Sequence, residues 1–420
     1  MGANQLAVAE SGEFAIAPTD HLGLPFFSQA HQALAADLVP WAARQSVDET
    51  DDRRACKEWV SLLGDAGWLG YCVPAEFGGA MQRLDSRALV ILRETLAFYS
   101  PLADFSFAMQ GLGSGAITLA GTLAQKAAYL PSVARGDKIA AFALSEPDAG
   151  SDAGAMAMVA RQMETDGAAG EPGTFCLSGT KTWISNGGIA DYYCVFAKTD
   201  PGAGTRGISA FIVDADTKGL DASEHIEVMA PHPLATLRFD NCKVPATALL
   251  GERNGGFKLA MQTLDIFRAS VAGAALGMAR RALYEAVRYA QARPMFGQRL
   301  SDFQLTQAKL GEMAALIDAG AMLTYRAAWM RDVLGTATIA DAQKYTAVAA
   351  MAKMTATENA QKVIDMALQL HGGMGVKVGT KVESLYRDIR SLRIYEGATE
   401  VQQLIIGKSV LRAHSNNLRS

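Results

Sequence analysis

A glutamate near the C-terminus stands in a setting suited to proton transfer. Glu396 follows the aromatic Tyr395 and precedes Gly397, in a loop ahead of an amphipathic run. A carboxylate that is partly removed from water becomes a stronger base, so Glu396 is a candidate general base. Glu400 complements the N-terminus of the helix that is predicted to follow. Most isolated glutamates are solvated, so this segment alone does not identify a function.

A first segment in the middle of the chain could approach a ligand closely. Residues 142–152, FALSEPDAGSD, leave a predicted strand and enter a loop of small residues. Ser145 and Ser151 offer hydroxyl groups, and Gly150 lets the backbone come near a bound group. An ordinary connection between a strand and a turn explains this segment equally well when it is taken alone.

A second segment combines a large aromatic residue with short polar groups. Residues 179–188, GTKTWISNGG, place Trp183 on a predicted strand and Ser185 two residues later. A planar cofactor needs an aromatic side chain to cover one face and small polar groups at its edge. The alternative is a core tryptophan before a hairpin, because Asn-Gly is a strong turn sequence.

Two further segments contain groups suited to phosphate. Arg293 begins the segment RPMFG where a long helix is predicted to end, and Gln304 follows shortly afterwards. An arginine can pair with a pyrophosphate, although arginine is also common at helix C-termini. Residues 369–373, QLHGG, present either backbone amides for phosphate or simply a glycine C-cap.

The elements that must position these residues occur in the order helices, sheet, helices. Apolar residues recur at helical spacing in residues 23–138, after a polar lead-in at residues 1–22 that is expected to be loosely ordered. Residues 139–250 contain short β-rich runs separated by turn residues, which predicts an antiparallel sheet. Helical periodicity returns in residues 251–420. The predicted strands are 140–144, 175–178, 192–197, 208–213 and 236–239, and a long helix is predicted at about 341–370.

Composition excludes several classes of protein. The chain has 420 residues and a net charge of −4, and its acidic and basic residues are interspersed. Without a basic stripe, a nucleic-acid partner is not expected. Five scattered cysteines without a CxxC pair argue against a disulfide framework, and no metal site is predicted. No apolar run has membrane-spanning length and no secretion signal is apparent, so a cytoplasmic enzyme is expected.

Taken in order, the segments resemble the acyl-CoA dehydrogenase family from about residue 30 to residue 412. FALSEPDAGSD and GTKTWISNGG are similar to the two flavin-loop sequences of that family. The other segments that carry the resemblance are LGERNGGFKLAMQTLDIFR, RPMFG with FQ, QLHGGMG and YRDIRSLRIYEGATEVQ. Each of these motifs is weak by itself, but six in the family's order make the resemblance specific.

The resemblance implies an α+β fold, with an N-terminal helical domain, a middle antiparallel β-domain and a C-terminal four-helix bundle, assembled as a homotetramer. It implies FAD as cofactor and Glu396 as the catalytic base. The residues that it assigns to FAD are Phe142, Leu144, Ser145, Ser151, Trp183, Ser185, Arg293, Phe296, Gln304, Gln369, Gly372, Gly373, Ala398 and Glu400. Those that it assigns to the acyl-CoA substrate are Ser151, Asp265, Arg268 and Gly397.

Three residues depart from the family pattern. Asp148 stands where a glycine is usual, and Phe267 precedes Arg268 where many members have glycine. Ala398 replaces the threonine that usually follows the family's Glu-Gly pair, so one hydroxyl contact to the flavin is lost. These departures leave Glu396 in place and alter the surroundings of the flavin and the acyl group.

The implied reaction is the α,β-dehydrogenation of an acyl-CoA thioester to a trans-2-enoyl-CoA. Glu396 would remove the α-proton, flavin N5 would accept the β-hydrogen as hydride, and electron-transfer flavoprotein would accept the electrons. Two enzymatic alternatives share the fold, a flavin oxidase and a desaturase of acyl groups bound to a carrier protein. A third alternative is a binding protein without turnover. The sequence does not determine the acyl group.

Overall fold

A computed structural model describes residues 15–163, 173–335 and 338–417. Its N-terminal part is helical, and short polar or proline-containing segments set the helix boundaries. Ser100, for example, accepts a hydrogen bond from the Ala103 amide at 3.0 Å, and Pro101 takes the first helical position, where its missing N–H costs nothing. The helices of this part are α1 (Gln29–Ala43), α2 (Asp52–Asp65), α3 (Ser86–Tyr99), α4 (Pro101–Ala120) and α5 (Leu123–Arg135).

The predicted lead-in falls partly outside the described residues, which begin at residue 15. Within residues 15–22, Ala17 and Leu22 are buried. The Ala17 amide also donates a hydrogen bond to the Tyr99 hydroxyl at 3.1 Å. This short stretch therefore packs on the N-terminal helices, and the proposed domain boundaries stay predictions.

The middle of the chain forms one sheet, whose strands lie in the order β6-β7-β3-β2-β4-β5-β8. Most pairings are antiparallel, as predicted, but β1 pairs with β4 in parallel register and β2 does so at one residue. The sheet is therefore mixed, because the long connection from β1 to β4 returns the chain in its original direction. The strands are β1 (Ala140–Ala143), β2 (Val159–Met163), β3 (Thr174–Ser185), β4 (Tyr192–Lys198), β5 (Ile208–Asp214), β6 (Leu220–Ile226), β7 (Leu234–Pro245) and β8 (Leu249–Leu250).

The C-terminal part is helical again. Helix α8 packs on every other helix of this part, and it extends the predicted helix at 341–370 by a residue or two at each end. A hairpin of β9 and β10 joins α6 to α7. The elements are α6 (Gly256–Ala292), β9 (Pro294–Met295), β10 (Gln298–Arg299), α7 (Gln304–Trp329), α8 (Ile339–His371), α9 (Lys381–Leu392) and α10 (Thr399–Asn417). Among the described residues, no helix is both long and apolar enough to cross a membrane.

Helix α6 joins the two helical parts because small residues let it approach α3 closely. An added Cβ at Gly277 would overlap the carbonyl oxygen of Glu94, and one at Gly273 would lie 2.8 Å from the carbonyl oxygen of Val90. Alanines line the buried face of α6 elsewhere. This contact sets the position of α3 relative to the C-terminal helices.

We expect Gly277→Ala to lower the free energy of unfolding by about 1–3 kcal/mol, because α3 must move away from α6. Gly311→Ala is the matched control, since Gly311 lies inside an exposed stretch of α7 with no atom within 4 Å of an added Cβ. That variant should be neutral or more stable by up to about 1 kcal/mol. Thermal and denaturant unfolding measure both changes, and equal stability of the two variants would contradict the close α3–α6 contact.

Candidate functional site

Glu396 lies in a tight connection between α9 and α10. Its backbone has a φ of +52°, and that of Gly397 has a φ of +94°, so two consecutive residues are left-handed. For a glutamate this conformation costs energy that the surrounding structure must supply. Both carboxylate oxygens of Glu396 are buried, and neither has a hydrogen-bond partner in the described part of the chain.

The pKa of Glu396 is raised, chiefly because burial disfavours the charged carboxylate. Three cations act against this effect and lower the pKa again: Arg93 from α3, Lys353 from α8 and Arg268 from α6. The carboxylate of Asp104 on α4 raises it further. The basicity of Glu396 therefore depends on four helices from both helical parts of the chain.

Arg93 and Asp104 form a buried ion pair close to this carboxylate. Two guanidinium nitrogens of Arg93 donate to the two Asp104 oxygens at 2.8 and 3.0 Å, and a third donates to the Ser270 hydroxyl at 3.1 Å. Burial alone would lower the pKa of Arg93, but the Asp104 carboxylate holds it above its ordinary value. Sequence reasoning missed this pair, and the available signal was a charged residue inside the apolar run of α3.

The residues assigned to acyl-CoA meet on α6 and at the Glu396 loop. Arg268 pairs with Asp265 one turn before it, and the second Asp265 oxygen accepts a hydrogen bond from Thr346 at 2.8 Å. The Nε of Arg268 is buried without a partner among the described residues, so a donor remains for a further group. Gly397 lies beside Glu396, whereas Ser151 is exposed in the loop after β1.

The two loops that resemble flavin-binding sequences lie side by side. The buried ammonium of Lys181 on β3 donates to the Leu144 carbonyl at 2.9 Å and pairs with Glu146 at 2.8 Å. The Thr182 amide donates to the Ser145 carbonyl at 3.0 Å. Phe142 is half-buried, with its ring centroid 4.9 Å from that of Phe196.

Trp183 and Ser185 project from the end of β3, which runs past these loops. Trp183 has a φ of +59°, and its side chain is 58% exposed, so it is not the core tryptophan of the alternative interpretation. The Ser185 hydroxyl lies 3.0 Å from Nε2 of His232. Such a wide, accessible indole face beside short hydroxyl groups is the arrangement that a planar ligand needs.

His232 was not predicted, and its surroundings place it between the sheet and the Glu396 loop. Its ring centroid lies 3.8 Å from that of Phe105 and 6.0 Å from that of Tyr395. Burial lowers the pKa of His232 to about 3, so the imidazole is neutral at physiological pH. No motif in the sequence marks His232, because its neighbours come from α4 and from the segment before α10.

The predicted phosphate-binding residues lie far from Glu396 in the same chain. Arg293 is the C-cap residue of α6, about 38 Å along the helix axis from Arg268 at 1.5 Å per residue. Tyr289, one turn before Arg293, stacks on His371 with ring centroids 4.3 Å apart. This stacking brings the two predicted phosphate segments to one end of the C-terminal helices. The residues that it gathers there, all exposed, are Arg293, Phe296, Gln304, Gln369, Gly372 and Gly373.

The last two residues assigned to FAD lie beside the base. Ala398 is half-buried, and its carbonyl accepts a hydrogen bond from the Gln402 amide at 3.0 Å. Glu400 is exposed in the first turn of α10. This is the favourable position for a carboxylate at a helix N-terminus, so a role toward FAD is not needed to explain Glu400.

The chain combines a helical part, a sheet and a second helical part with a buried carboxylate at Glu396, and this combination fits the flavin-dependent oxidoreductase class that the sequence resembles. Three family models match the chain: the N-terminal, middle and C-terminal domains of acyl-CoA dehydrogenase match residues 26–137, 141–242 and 254–411. The chain belongs to the acyl-CoA dehydrogenase family. Members of this family are FAD enzymes, and the chain is an FAD-dependent oxidoreductase.

Similar proteins of named activity fall into two groups. The chain is 38% identical to a 3-(aryl)acrylate reductase of Clostridium sporogenes, with 92% of this chain and 100% of the relative covered. It is 37% identical to a subunit of the caffeyl-CoA reductase-Etf complex of Acetobacterium woodii, with 85% and 90% covered. It is also 38% identical to the human mitochondrial short-chain specific acyl-CoA dehydrogenase, with 84% and 82% covered.

Solved structures agree with the fold. Butyryl-CoA dehydrogenase from Megasphaera elsdenii superimposes with a TM-score of 0.82 at 33% identity, covering 92% of this chain and 99% of that one. An acyl-CoA dehydrogenase of Bacillus anthracis complexed with FAD gives a TM-score of 0.82 at 31% identity, covering 93% of this chain and 68% of that one. The predicted fold class is therefore confirmed.

The residues of this chain fit FAD. The exposed indole of Trp183 offers a face for a planar ring, and Ser185, two residues later on β3, supplies a short hydroxyl group. At the other end, Gly372 and Gly373 have no atom within 4 Å of an added Cβ, which leaves their backbone open to a phosphate. Arg293 lies near them as a charged donor.

We expect Trp183→Ala to weaken FAD binding about 2- to 10-fold, the effect of losing one aromatic stacking contact. Titration of the apoprotein with FAD, followed by absorbance, measures the affinity and shows any change in the flavin spectrum. Trp41→Ala is the control, because Trp41 packs on Trp68 in the N-terminal helical part. Equal FAD affinity and an unchanged spectrum in a folded Trp183→Ala variant would contradict the assignment.

Proposed function

We propose that the chain catalyses the α,β-dehydrogenation of an acyl-CoA thioester to a trans-2-enoyl-CoA, with Glu396 as the base that removes the α-proton. The observation that supports this role best is the buried Glu396 carboxylate, both of whose oxygens lack a hydrogen-bond partner among the described residues. A structural carboxylate would be paired or bonded when buried, since burial without a partner is costly.

The electrostatics around Glu396 suit this chemistry. An ordinary glutamate, with a pKa of about 4.3, is a weak base for a proton next to a thioester. Burial raises the pKa of Glu396, which makes the carboxylate a stronger base, and the nearby cations limit the rise. Bound FAD supplies the acceptor for the β-hydrogen. The Glu396 backbone N–H would donate to the thioester oxygen as negative charge develops there.

We assign four residues to the thioester substrate: Arg268, Asp265, Gly397 and Ser151. The partnerless Nε of Arg268 supports this assignment, because a buried guanidinium nitrogen is seldom left without an acceptor. Gly397 follows the base directly, and glycine is required there because an added Cβ would overlap the Gln402 side chain. Carriage of the same acyl group by a carrier protein remains an alternative at this site.

FAD would be shared between copies of the chain in a homotetramer. The flavin ring would be held by the residues of the two loops and β3: Phe142, Leu144, Ser145, Trp183 and Ser185. The exposed end of the C-terminal helices lies about 38 Å along α6 from Arg268, and it would hold the phosphates of the FAD that is bound to a neighbouring copy of the chain. Large apolar side chains at that end support an interface there, since Phe296 is 87% exposed and Leu305 is 84% exposed.

Electron-transfer flavoprotein is the electron acceptor that we propose. The relative from Acetobacterium woodii is named as part of a reductase-Etf complex, which supports this partner. A flavin oxidase is the alternative, and it would produce hydrogen peroxide in place of reduced electron-transfer flavoprotein.

A second candidate function is the reverse reaction on an aromatic substrate, the reduction of a 3-arylacrylyl thioester. Phe105, His232 and Tyr395 form an aromatic cluster that reaches the residue before Glu396, and a ring-bearing acyl group would find stacking partners there. Two relatives are named as reductases of aryl acrylate and caffeyl-CoA. The same base would then return a proton to the α-carbon.

Glu396→Gln should fold, bind FAD and bind acyl-CoA, yet reduce the flavin at least about 10²–10⁴-fold more slowly. Glutamine keeps the shape of the side chain but cannot accept the α-proton. The measurement is anaerobic stopped-flow bleaching of the flavin after mixing with acyl-CoA. Near-parental bleaching would show that another group removes the proton, and Glu400→Gln, an exposed carboxylate four residues away, serves as the control.

Phe105→Ala should slow flavin reduction by a 3-arylpropanoyl-CoA about 2- to 10-fold, with little change for butyryl-CoA, because one stacking contact is lost. The same assays, run with electron-transfer flavoprotein or with oxygen as acceptor, separate a dehydrogenase from an oxidase. A carrier-protein thioester used in place of the CoA thioester tests the desaturase alternative. Equal effects on the aryl and butyryl substrates would remove the support for an aromatic acyl group.

A further inference from the structure

Lys353 is a buried lysine next to the Glu396 loop, in the alanine-rich middle of α8. Its side chain is 0% exposed, and it makes one hydrogen bond among the described residues, from its ammonium to the Gly397 carbonyl at 2.7 Å. No described carboxylate lies within ion-pair distance of the ammonium. A buried charge with a single neutral partner is expensive, so its position requires a compensating interaction.

The carbonyl that Lys353 binds belongs to the most constrained part of the site. Glu396 and Gly397 both have a positive φ, and a displaced Gly397 carbonyl would rotate the Gly397–Ala398 peptide, which closes the turn one residue after the base. Gln402 on α10 donates to the same carbonyl at 2.9 Å and approaches the Glu396 carbonyl at 3.4 Å. Two buried donors, one charged and one neutral, therefore hold this turn from opposite helices.

A second contact ties the same loop to α8. Glu358, about one and a half turns after Lys353, accepts hydrogen bonds from Arg393 at 2.8 Å and from the Thr399 hydroxyl at 2.6 Å. Residues on both sides of Glu396 are thus bound to α8. The helix presents Lys353 to the turn itself and Glu358 to its two ends.

We propose that Lys353 is a positioning residue for Glu396, which holds the Glu396–Gly397 turn through the Gly397 carbonyl and places a cation near the carboxylate that favours its charged form. This inference rests on the proposed function of Glu396. It gives the buried ammonium a compensating charge, since Glu396 is the carboxylate that acts on it most strongly.

The charges around the two groups agree with this assignment. Burial lowers the pKa of Lys353 to about 8, and Glu396, Glu358 and Glu400 raise it while Arg268 lowers it. The ammonium is therefore largely protonated at neutral pH. Three other charged groups face Glu396: Arg93 from α3, Arg268 from α6 and Asp104 from α4. Arg93 is already paired with Asp104, and Arg268 is paired with Asp265. Of these cations, Lys353 alone has no paired carboxylate in the part of the chain that is described.

Replacing Lys353 with methionine removes both the charge and the donor. Because a nearby opposite charge lowers the pKa of a carboxylate by about one unit or more, its loss should raise the pKa of Glu396 by about that amount. Activity of an ionised base is lost as pH falls through its pKa. The acid limb of the pH profile for flavin reduction should therefore move to higher pH by about one unit in Lys353→Met, with a slower reaction at neutral pH.

Gln402→Met separates geometry from charge, because it removes only the neutral donor to the same carbonyl. We expect it to slow flavin reduction at every pH without moving the acid limb. Lys381→Met is the matched control for losing a buried lysine, since the Lys381 ammonium donates to the Tyr99 carbonyl at 3.3 Å and does not face Glu396. That variant should leave the acid limb in place, whatever its effect on the melting temperature.

The experiment uses the FAD-loaded enzyme and the acyl-CoA that reduces its flavin fastest. Anaerobic flavin reduction is followed between about pH 5 and pH 9. The dissociation constant of acyl-CoA and the melting temperature are measured alongside. A positioning role predicts a shifted acid limb with little change in acyl-CoA affinity. Lys353→Gln, which removes the charge but keeps a shorter polar side chain, should shift the limb in the same direction.

An acid limb that is unmoved in both Lys353 variants would overturn the proposal. So would failure of both variants to fold while Lys381→Met folds, because Lys353 would then have a structural role. These outcomes are distinct from failure of the proposed function, which would appear as flavin reduction in Glu396→Gln. An inactive Glu396→Gln with an unmoved limb in Lys353→Met would refute only the role of Lys353.

Discussion

A carboxylate that is removed from water must be compensated by nearby charges or donors, and the Glu396 oxygens have no hydrogen-bond partner among the described residues. The compensation is electrostatic, and it comes from Arg93, Arg268 and Lys353 on three different helices. None of these side chains can act unless α3, α6 and α8 meet at the loop before α10. The packing of the helical parts is therefore a condition for the chemistry and not only for stability.

Helix α6 is the element that makes this meeting possible. At 37 residues it reaches from the sheet to the far end of the C-terminal helices, and its glycines let α3 approach without a gap. Ser270 on α6 accepts a hydrogen bond from Arg93, which joins the buried Arg93–Asp104 pair to the same helix. A buried ion pair contributes little net stability, but removing one partner is costly, so the pair favours this one arrangement of helices.

The sheet contributes a second, independent constraint. Lys181 and Glu146 pair inside the protein and bind the loop after β1 to β3, so that Trp183 and the Ser145 backbone lie together although 38 residues separate them. This pair lies on the sheet, whereas the charges that act on Glu396 lie on the helices. His232, which contacts Phe105 and lies near Tyr395, joins the two regions.

The sequence alone determined the order of helices, sheet and helices, the family, and Glu396 as the candidate base, because periodicity, turn residues and motifs are local properties of the chain. It missed β2 and β6, whose exposed and polar residues hide the alternation of a strand, and it missed the two-residue strands β8, β9 and β10, which are too short to show one. It did not identify His232 or Lys353, because a charged or polar residue acquires its role only from partners far along the chain. It also missed Arg93, although a charge inside the apolar run of α3 was a local signal. The tertiary structure also separated the predicted phosphate residues from Glu396, since Arg268, which faces Glu396, and Arg293, at the end of α6, lie about 38 Å apart along that helix.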